Sequence, residues 1–226
     1  MRQMLFALAT VVGVTSTAEP AEVLWDNNYI TNGFNGRAIS PPVFPYIRVV
    51  DDIHVRKPGW IVDTIRAFIE EDSGFRDGGT MNVYLYHDKD GMPGPHATTF
   101  SGLSFTKVRY GPTYFGRPWF VYSINVGGEI LTPGRYWIGM RNANATGYGT
   151  NYWLTSDGGP DGGGSNTGYF SLNAGDTWLP EGFGWQHAFV IEGRPVPEPA
   201  AFLVLGGLSL GALARRRSRG RSAGTR

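Results

Sequence analysis

Apolar and polar residues alternate along several stretches of this chain. Met81, Val83 and Leu85 alternate with Asn82, Tyr84 and Tyr86. Phe120, Tyr122, Ile124 and Val126 take every second position across Trp119 to Val126. Tyr136, Ile138 and Met140 alternate with Trp137, Gly139 and Arg141, and Ala188 to Ile191 makes a last short apolar run before Glu192-Gly193. A period of two sends successive side chains to opposite faces of a strand, so these stretches are predicted as strands with one face inward. Residues 60–71 fit two templates. Ile61, Ile65, Phe68 and Ile69 would share a helical face, whereas Ile61, Ile65, Ala67 and Ile69 would share one side of a strand. Periodicity does not separate the two, and the β-branched content and neighbouring strands favour the strand. The runs are separated by turn-forming residues, in a chain with 33 Gly and 15 Pro. The pattern predicts an all-β fold, an antiparallel sandwich or barrel.

The two ends break this pattern. Residues 200–214 form a run of 15 without a charge, about 22 Å as a helix, which is short against a hydrocarbon core of about 30 Å. It could cross a locally thinned bilayer with flanking arginines at the headgroups. Six arginines follow: Arg215, Arg216, Arg217, Arg219, Arg221 and Arg226. A buried C-terminal helix is the alternative, but a core helix does not usually carry such a tail, and a stop-transfer segment does. At the other end, one positive charge and an apolar stretch to Val14 precede the small residues Ser16-Thr-Ala18, the form of a signal peptide cleaved after Ala18. A buried N-terminal strand is the alternative there.

The order Val196-Pro197-Glu198-Pro199, apolar run, Arg215-Arg216-Arg217, paired with a signal peptide, resembles the PEP-CTERM sorting signal of Gram-negative envelopes. The resemblance covers about 25 residues; the Arg-rich tail, which continues to Arg226, is longer than is usual for such signals. It implies processing by an exosortase-type membrane enzyme at or near the triplet, and association with exopolysaccharide or biofilm matrix. Two prolines fix φ and leave an extended segment at the membrane edge that such an enzyme could grip. The expected organisation is a signal peptide over 1–18, a body over 19–195 and the sorting signal over 196–226. The expected location is an inner-membrane precursor, then the outer surface or matrix. A looser resemblance covers most of the body. Residues 50–55, 59–62, 81–94 and 133–139 are similar to landmarks of β-sandwich ectodomains that carry this signal. It implies a single jelly-roll-like β-sandwich and no established activity.

Charge sharpens the picture of the body. Residues 19–195 hold 13 Lys and Arg against 18 Asp and Glu, so the body is near −5 although the whole chain is +1. A mildly acidic body with scattered arginines lacks the basic face of a nucleic-acid binder. The chain has no Cys, which removes disulfide and thiol chemistry.

Candidate chemistry is sparse. Asp88-Lys-Asp-Gly91 resembles the start of a Ca²⁺ loop, but Thr99 stands where an EF-hand needs Glu, and a hairpin turn accounts for the same residues. Asp51 and Asp52, with Asp88 and Asp90, are weak Ca²⁺ candidates, and no metal or other cofactor is expected. Residues 156–166 read as a surface loop without the lysine of a phosphate loop. The four His show no ligand spacing, no Gly-x-Ser-x-Gly is present, and Glu70 and Glu71 would point to opposite faces of a strand. No catalytic residue is assigned. The aromatics of the Gly- and Asn-rich second half are the better signal: Tyr152, Trp153, Trp178 and Trp185 are candidate sugar-stacking rings, with Trp153 expected to be exposed. The functional expectation is a non-enzymatic, exported envelope or matrix protein with a structural or exopolysaccharide-associated role. A carbohydrate-binding module is the alternative and a glycoside-active enzyme the remote one.

Overall fold

The computed structural model describes residues 20–27, 36–40, 46–111, 113, 116–156, 168–182 and 186–197. The expected signal peptide, Trp185, Glu198, Pro199, the 200–214 helix and the arginines after it lie outside the described residues. Fifteen strands are described: β1 (Glu22–Asp26), β2 (Gly36–Ala38), β3 (Arg48–Val55), β4 (Trp60–Glu71), β5 (Phe75–Arg76), β6 (Thr80–Lys89), β7 (Met92–Arg109), β8 (Trp119–Leu131), β9 (Gly134–Asn142), β10 (Thr146–Gly147), β11 (Asn151–Ser156), β12 (Tyr169–Ser171), β13 (Leu179–Pro180), β14 (Gln186–His187) and β15 (Phe189–Pro195). The described part is all-β and its strand pairs are antiparallel. No helix among the described residues is long and apolar enough to cross a membrane.

The main sheet runs β1-β15-β4-β8-β7-β6-β9-β3-β12-β13, with β11 attached to β4, β2 and β14. Its continuity depends on β7. The first part of that strand pairs with β6 as far as Ser104, and Phe105–Arg109 pair with β8 instead. The two halves of the sheet fill one core. Ile65, Ala67, Ile69, Tyr122, Ile124 and Ile191 come from one half; Val49, Ile53, Met81, Val83, Leu85, Ile138 and Met140 come from the other. Each such buried aliphatic side chain contributes about 1.5–3 kcal/mol.

The alternating stretches lie as expected: Met81, Val83 and Leu85 on β6, Tyr122 and Ile124 on β8, and Tyr136, Ile138 and Met140 on β9 face this core. The ambiguous stretch is strand β4, in one respect different from expectation. The register against β8 shifts between Val62 and Thr64. This bulge, an extra residue that changes the phase of the alternation, turns Trp60 and Val62 into the core and leaves Ile61 half-buried. The Asp88–Gly91 stretch is a two-residue hairpin turn between β6 and β7. Asp90 and Gly91 take φ of 57° and 80°, Lys89 faces Met92, and the Gly91 amide donates to Asp88 at 3.3 Å. Such turns need left-handed central residues, which Asp and Gly supply.

Candidate functional site

β9 lies between β3 and β6, and this order builds a face that the local sequence does not reveal. While alternate residues of the three strands enter the core, the others form rows on the opposite side. Register places Asp52, Trp137 and Tyr86 in one row and Val50, Gly139 and Tyr84 in the next. Arg135 lies opposite His54 at one end, and Arg141 opposite Asn82 at the other. Tyr84, Tyr86, Trp137 and Val50 form a separate buried cluster on this face, against which Tyr169 and Trp178 pack. Trp137 meets Tyr169 edge-on at 5.1 Å between ring centroids.

Trp178 is delivered to this face by the connection between β12 and β13, which pair as a hairpin. Ser171 and Asn173 hold the connection. The Gly175 amide donates to Ser171 Oγ at 2.8 Å and the Thr177 amide to Asn173 Oδ1 at 3.1 Å. The Ala174 amide donates to the Tyr46 carbonyl at 2.8 Å, which ties the turn to the start of β3. Gly175 sits at φ 100°, and a Cβ there would lie 3.2 Å from the Tyr86 hydroxyl and 3.3 Å from the Trp178 ring. Only glycine combines that backbone with that approach. The outcome is a half-buried Trp178 held edge-on to Tyr86 at 5.0 Å, with the exposed His96 on Tyr86 at 5.4 Å. An aromatic ring with one side wet and a rigid mount is the form of a stacking platform.

Charges surround the rings. Arg135 Nε donates to Asp52 Oδ2 at 3.1 Å and stands 3.7 Å from Asp88 Oδ1, with its guanidinium 5.2 Å over Trp137. Trp137 Nε1 donates to Asp88 Oδ1 at 2.9 Å. Two of the weak Ca²⁺ candidates thus converge on one guanidinium, which occupies the position between them that a cation would need. Asp51 points to the other side of β3 and Asp90 is exposed in the hairpin turn, so the four are not gathered. Among the described residues no group of three or more His, Asp or Glu is placed to hold a metal.

Of the four expected stacking rings, Trp185 lies outside the described residues, and the other three are dispersed. Among the described three, Trp178 alone reaches the face just described. Trp153 is a correction: it is completely buried, its Nε1 donates to the Ala188 carbonyl at 2.9 Å, and it stacks on His187 at 4.6 Å. Its pairing with Ile69 of β4 directs it into the core. Tyr152 is half-buried on the other side of β11, with Arg117 4.8 Å over its ring and its hydroxyl donating to Asp72 at 3.4 Å. Glu70 and Glu71 do diverge. Glu71 accepts from Tyr122 and from Lys107 at 2.9 Å, whereas Glu70 lies 3.8 Å from Arg117 and burial raises its pKa above the usual carboxylate value.

A second polar cluster lies inside. Asp51 accepts from the Asn27 side chain at 3.0 Å, from the Asp52 amide at 2.9 Å and from the His187 amide. Burial, with Asp52 alongside, holds its carboxyl well above the usual range against the pull of those donors. Burial also pushes His187 down to about 4, opposed by nearby Glu181. Glu181 is itself paired with Arg37, whose Nε donates to it at 2.7 Å.

No family model matches this chain, and neither a curated protein nor a solved structure matches it.

Proposed function

We propose that this chain is an exported cell-envelope or matrix protein, non-enzymatic, whose body is a jelly-roll-like β-sandwich that associates with exopolysaccharide through the β3–β9–β6 face. The observation that carries this reading is Trp178, mounted by the Ser171–Asn173 turn edge-on to Tyr86 and left half-exposed on a face that also carries Arg135, Asp52 and Asp88. Sugars are held by flat apolar rings flanked by a few polar groups that fix orientation, and this face carries both. The export half of the reading rests on the two ends of the sequence. β15 runs to Pro195, and the Val196 amide still donates to Gly59 at 3.0 Å, so the described body reaches the edge of the Pro-Glu-Pro triplet. In this reading the triplet, which follows β15, is taken by an exosortase-type enzyme, and the apolar run is a membrane anchor until processing.

Two measurements test the reading. Replacing Pro197, Glu198 and Pro199 together should leave export intact and retain uncut precursor in the membrane. An intact C-terminus on surface-recovered wild-type protein, seen by mass spectrometry, removes the processing step. Binding of the full chain to arrayed oligosaccharides should be lost in Trp178→Ala and kept in Tyr152→Ala. Product release from any arrayed glycan would instead make the protein an enzyme.

A further inference from the structure

Beyond the aromatic platform, the same face ends in two arginines that no acid among the described residues answers. Arg48 opens β3 and Arg141 lies near the end of β9. The β3–β9 register ends with Val50 opposite Gly139, and continued two positions further it points Arg48 toward Arg141, on which the Arg48 charge acts. Neither forms an ion pair with a described residue. Arg48 lies with its guanidinium 4.3 Å over the Tyr84 ring and donates to the Ile47 carbonyl at 3.0 Å. Arg141 Nε is buried without a hydrogen-bond partner. Burial and the neighbouring Arg48 both disfavour the charge on Arg141, and the only opposing influence is the Tyr84 hydroxyl.

Like charges opposite one another across strands destabilise a sheet, and a buried guanidinium nitrogen without an acceptor costs more than a satisfied one. The other end of the face shows the alternative: Arg135 has Asp52 and Asp88 as partners. The face therefore completes one guanidinium–carboxylate arrangement from its own residues and leaves a second one open. We propose that Arg48 and Arg141 form a carboxylate-binding subsite, and that the glycan taken by this face is acidic, a polysaccharide bearing uronate groups. The inference rests on the sugar-binding reading above and names the ligand class. Arginine suits the role because its planar fork matches a carboxylate with two parallel hydrogen bonds. The row holding Arg141 is four residues along β6 from the row holding Tyr86 and its partner Trp178, roughly 13 Å of strand. Ring and arginines are thus spaced for an oligomer with one sugar on the platform and an acid group further along.

The test is binding of the full-length protein, in mild detergent, to four polymers: polygalacturonate, its fully methyl-esterified form, dextran and dextran sulfate. Polygalacturonate is expected to bind at least tenfold more tightly than the ester. Arg48→Gln and Arg141→Gln should each remove most of that preference while leaving the melting temperature unchanged or raised, because a repulsion is relieved. Trp178→Ala should weaken both forms. Equal binding of acid and ester overturns the carboxylate subsite and leaves the sugar platform standing. Dextran sulfate bound as well as polygalacturonate, or an undiminished preference in both arginine variants, overturns it too. Absence of binding to all four polymers overturns the platform together with the subsite.

Discussion

Asp51 and Asp52 are adjacent on β3 and inhabit opposite worlds. Asp51 faces the interior, fully enclosed, with its carboxyl answered by backbone and side-chain N–H groups and no cation. Asp52 faces the other side, against Arg135, a side chain about one-third exposed. Around Asp51 the neighbours are enclosed: Asn27, His187, Trp153 and Glu181. Around Asp52 the surroundings open onto solvent through Arg135, His96 and Trp178. The difference separates two uses of polar residues that look alike in sequence. The inner cluster ties β3 to β14 and to the residues after β1, so its work is holding distant segments together. The outer cluster stands on strands that pair without it.

The comparison predicts that changes inside should damage folding and changes outside should damage binding. Trp153→Ala is the severest test. It removes a completely enclosed ring, its hydrogen bond to Ala188 and its stacking on His187, and should cost about 4 kcal/mol. Chemical denaturation measures this directly. A loss below about 1 kcal/mol would mean that the ring is not enclosed and that the inner region is not the packing unit described. Asp51→Ala should follow at about 3 kcal/mol, since the Asn27 side chain and the His187 amide would lose their acceptor while remaining buried.

His187 offers a pH-dependent version of the same contrast. Its ring nitrogens are buried without hydrogen-bond partners, and burial lowers its titration from 6.5 to about 4. Between those values the unfolded chain binds the proton and the folded chain does not. His187 therefore lowers stability as pH falls from about 6.5 toward 4, with a limiting slope of about 1.4 kcal/mol per pH unit. Asp51, raised by burial, runs the other way: the folded state keeps a proton that the unfolded state releases above 3.8. His187→Leu removes one contribution and keeps the other, so the difference between variant and wild type isolates the histidine. Stability measured at pH 4.5, 5.5 and 6.5 should fall less steeply on acidification in the variant. Parallel curves would show that His187 is charged, or solvated, in the folded protein.

Much of the inner region was legible because period two is a local property. On β6, β8 and β9 every second residue is apolar over six or more positions, and no other element fits. The bulge in β4 was not legible: Ile61, Val62 and Asp63 satisfy a continuous strand equally well, and only pairing with β8 shifts the phase. Trp153 was misread because its Gly- and Asn-rich surroundings suggest a loop, while its contact with Ile69 is decided by a residue 84 positions away. The outer face needed strand order. A hint was nevertheless present on the polar side of the alternation. Arg135, Trp137 and Arg141, and Tyr84, Tyr86 and Asp88, are large or charged where a merely solvated face would carry Ser and Thr. Arg48, Tyr86 and Arg135 were passed over because each gains meaning only when β9 is placed between β3 and β6.

The smallest expected effect on stability is the most informative for the outer side. Trp178 is half-buried, and its principal contact is the edge-on meeting with Tyr86 at 5.0 Å. An aromatic pair of this kind contributes about 0.5–1.5 kcal/mol beyond burial, and the turn that mounts the ring is held by Ser171 and Asn173 rather than by the indole. Trp178→Ala should thus cost about 1 kcal/mol, a quarter of the loss at Trp153, with the β12–β13 connection preserved. If polysaccharide binding falls by an order of magnitude at that small cost, ring and fold are separable and the outer face is a binding surface. If the variant unfolds as readily as Trp153→Ala, the indole is a cover for Tyr86 and Trp137, and the division between an inner packing region and an outer recognition region fails at its clearest point.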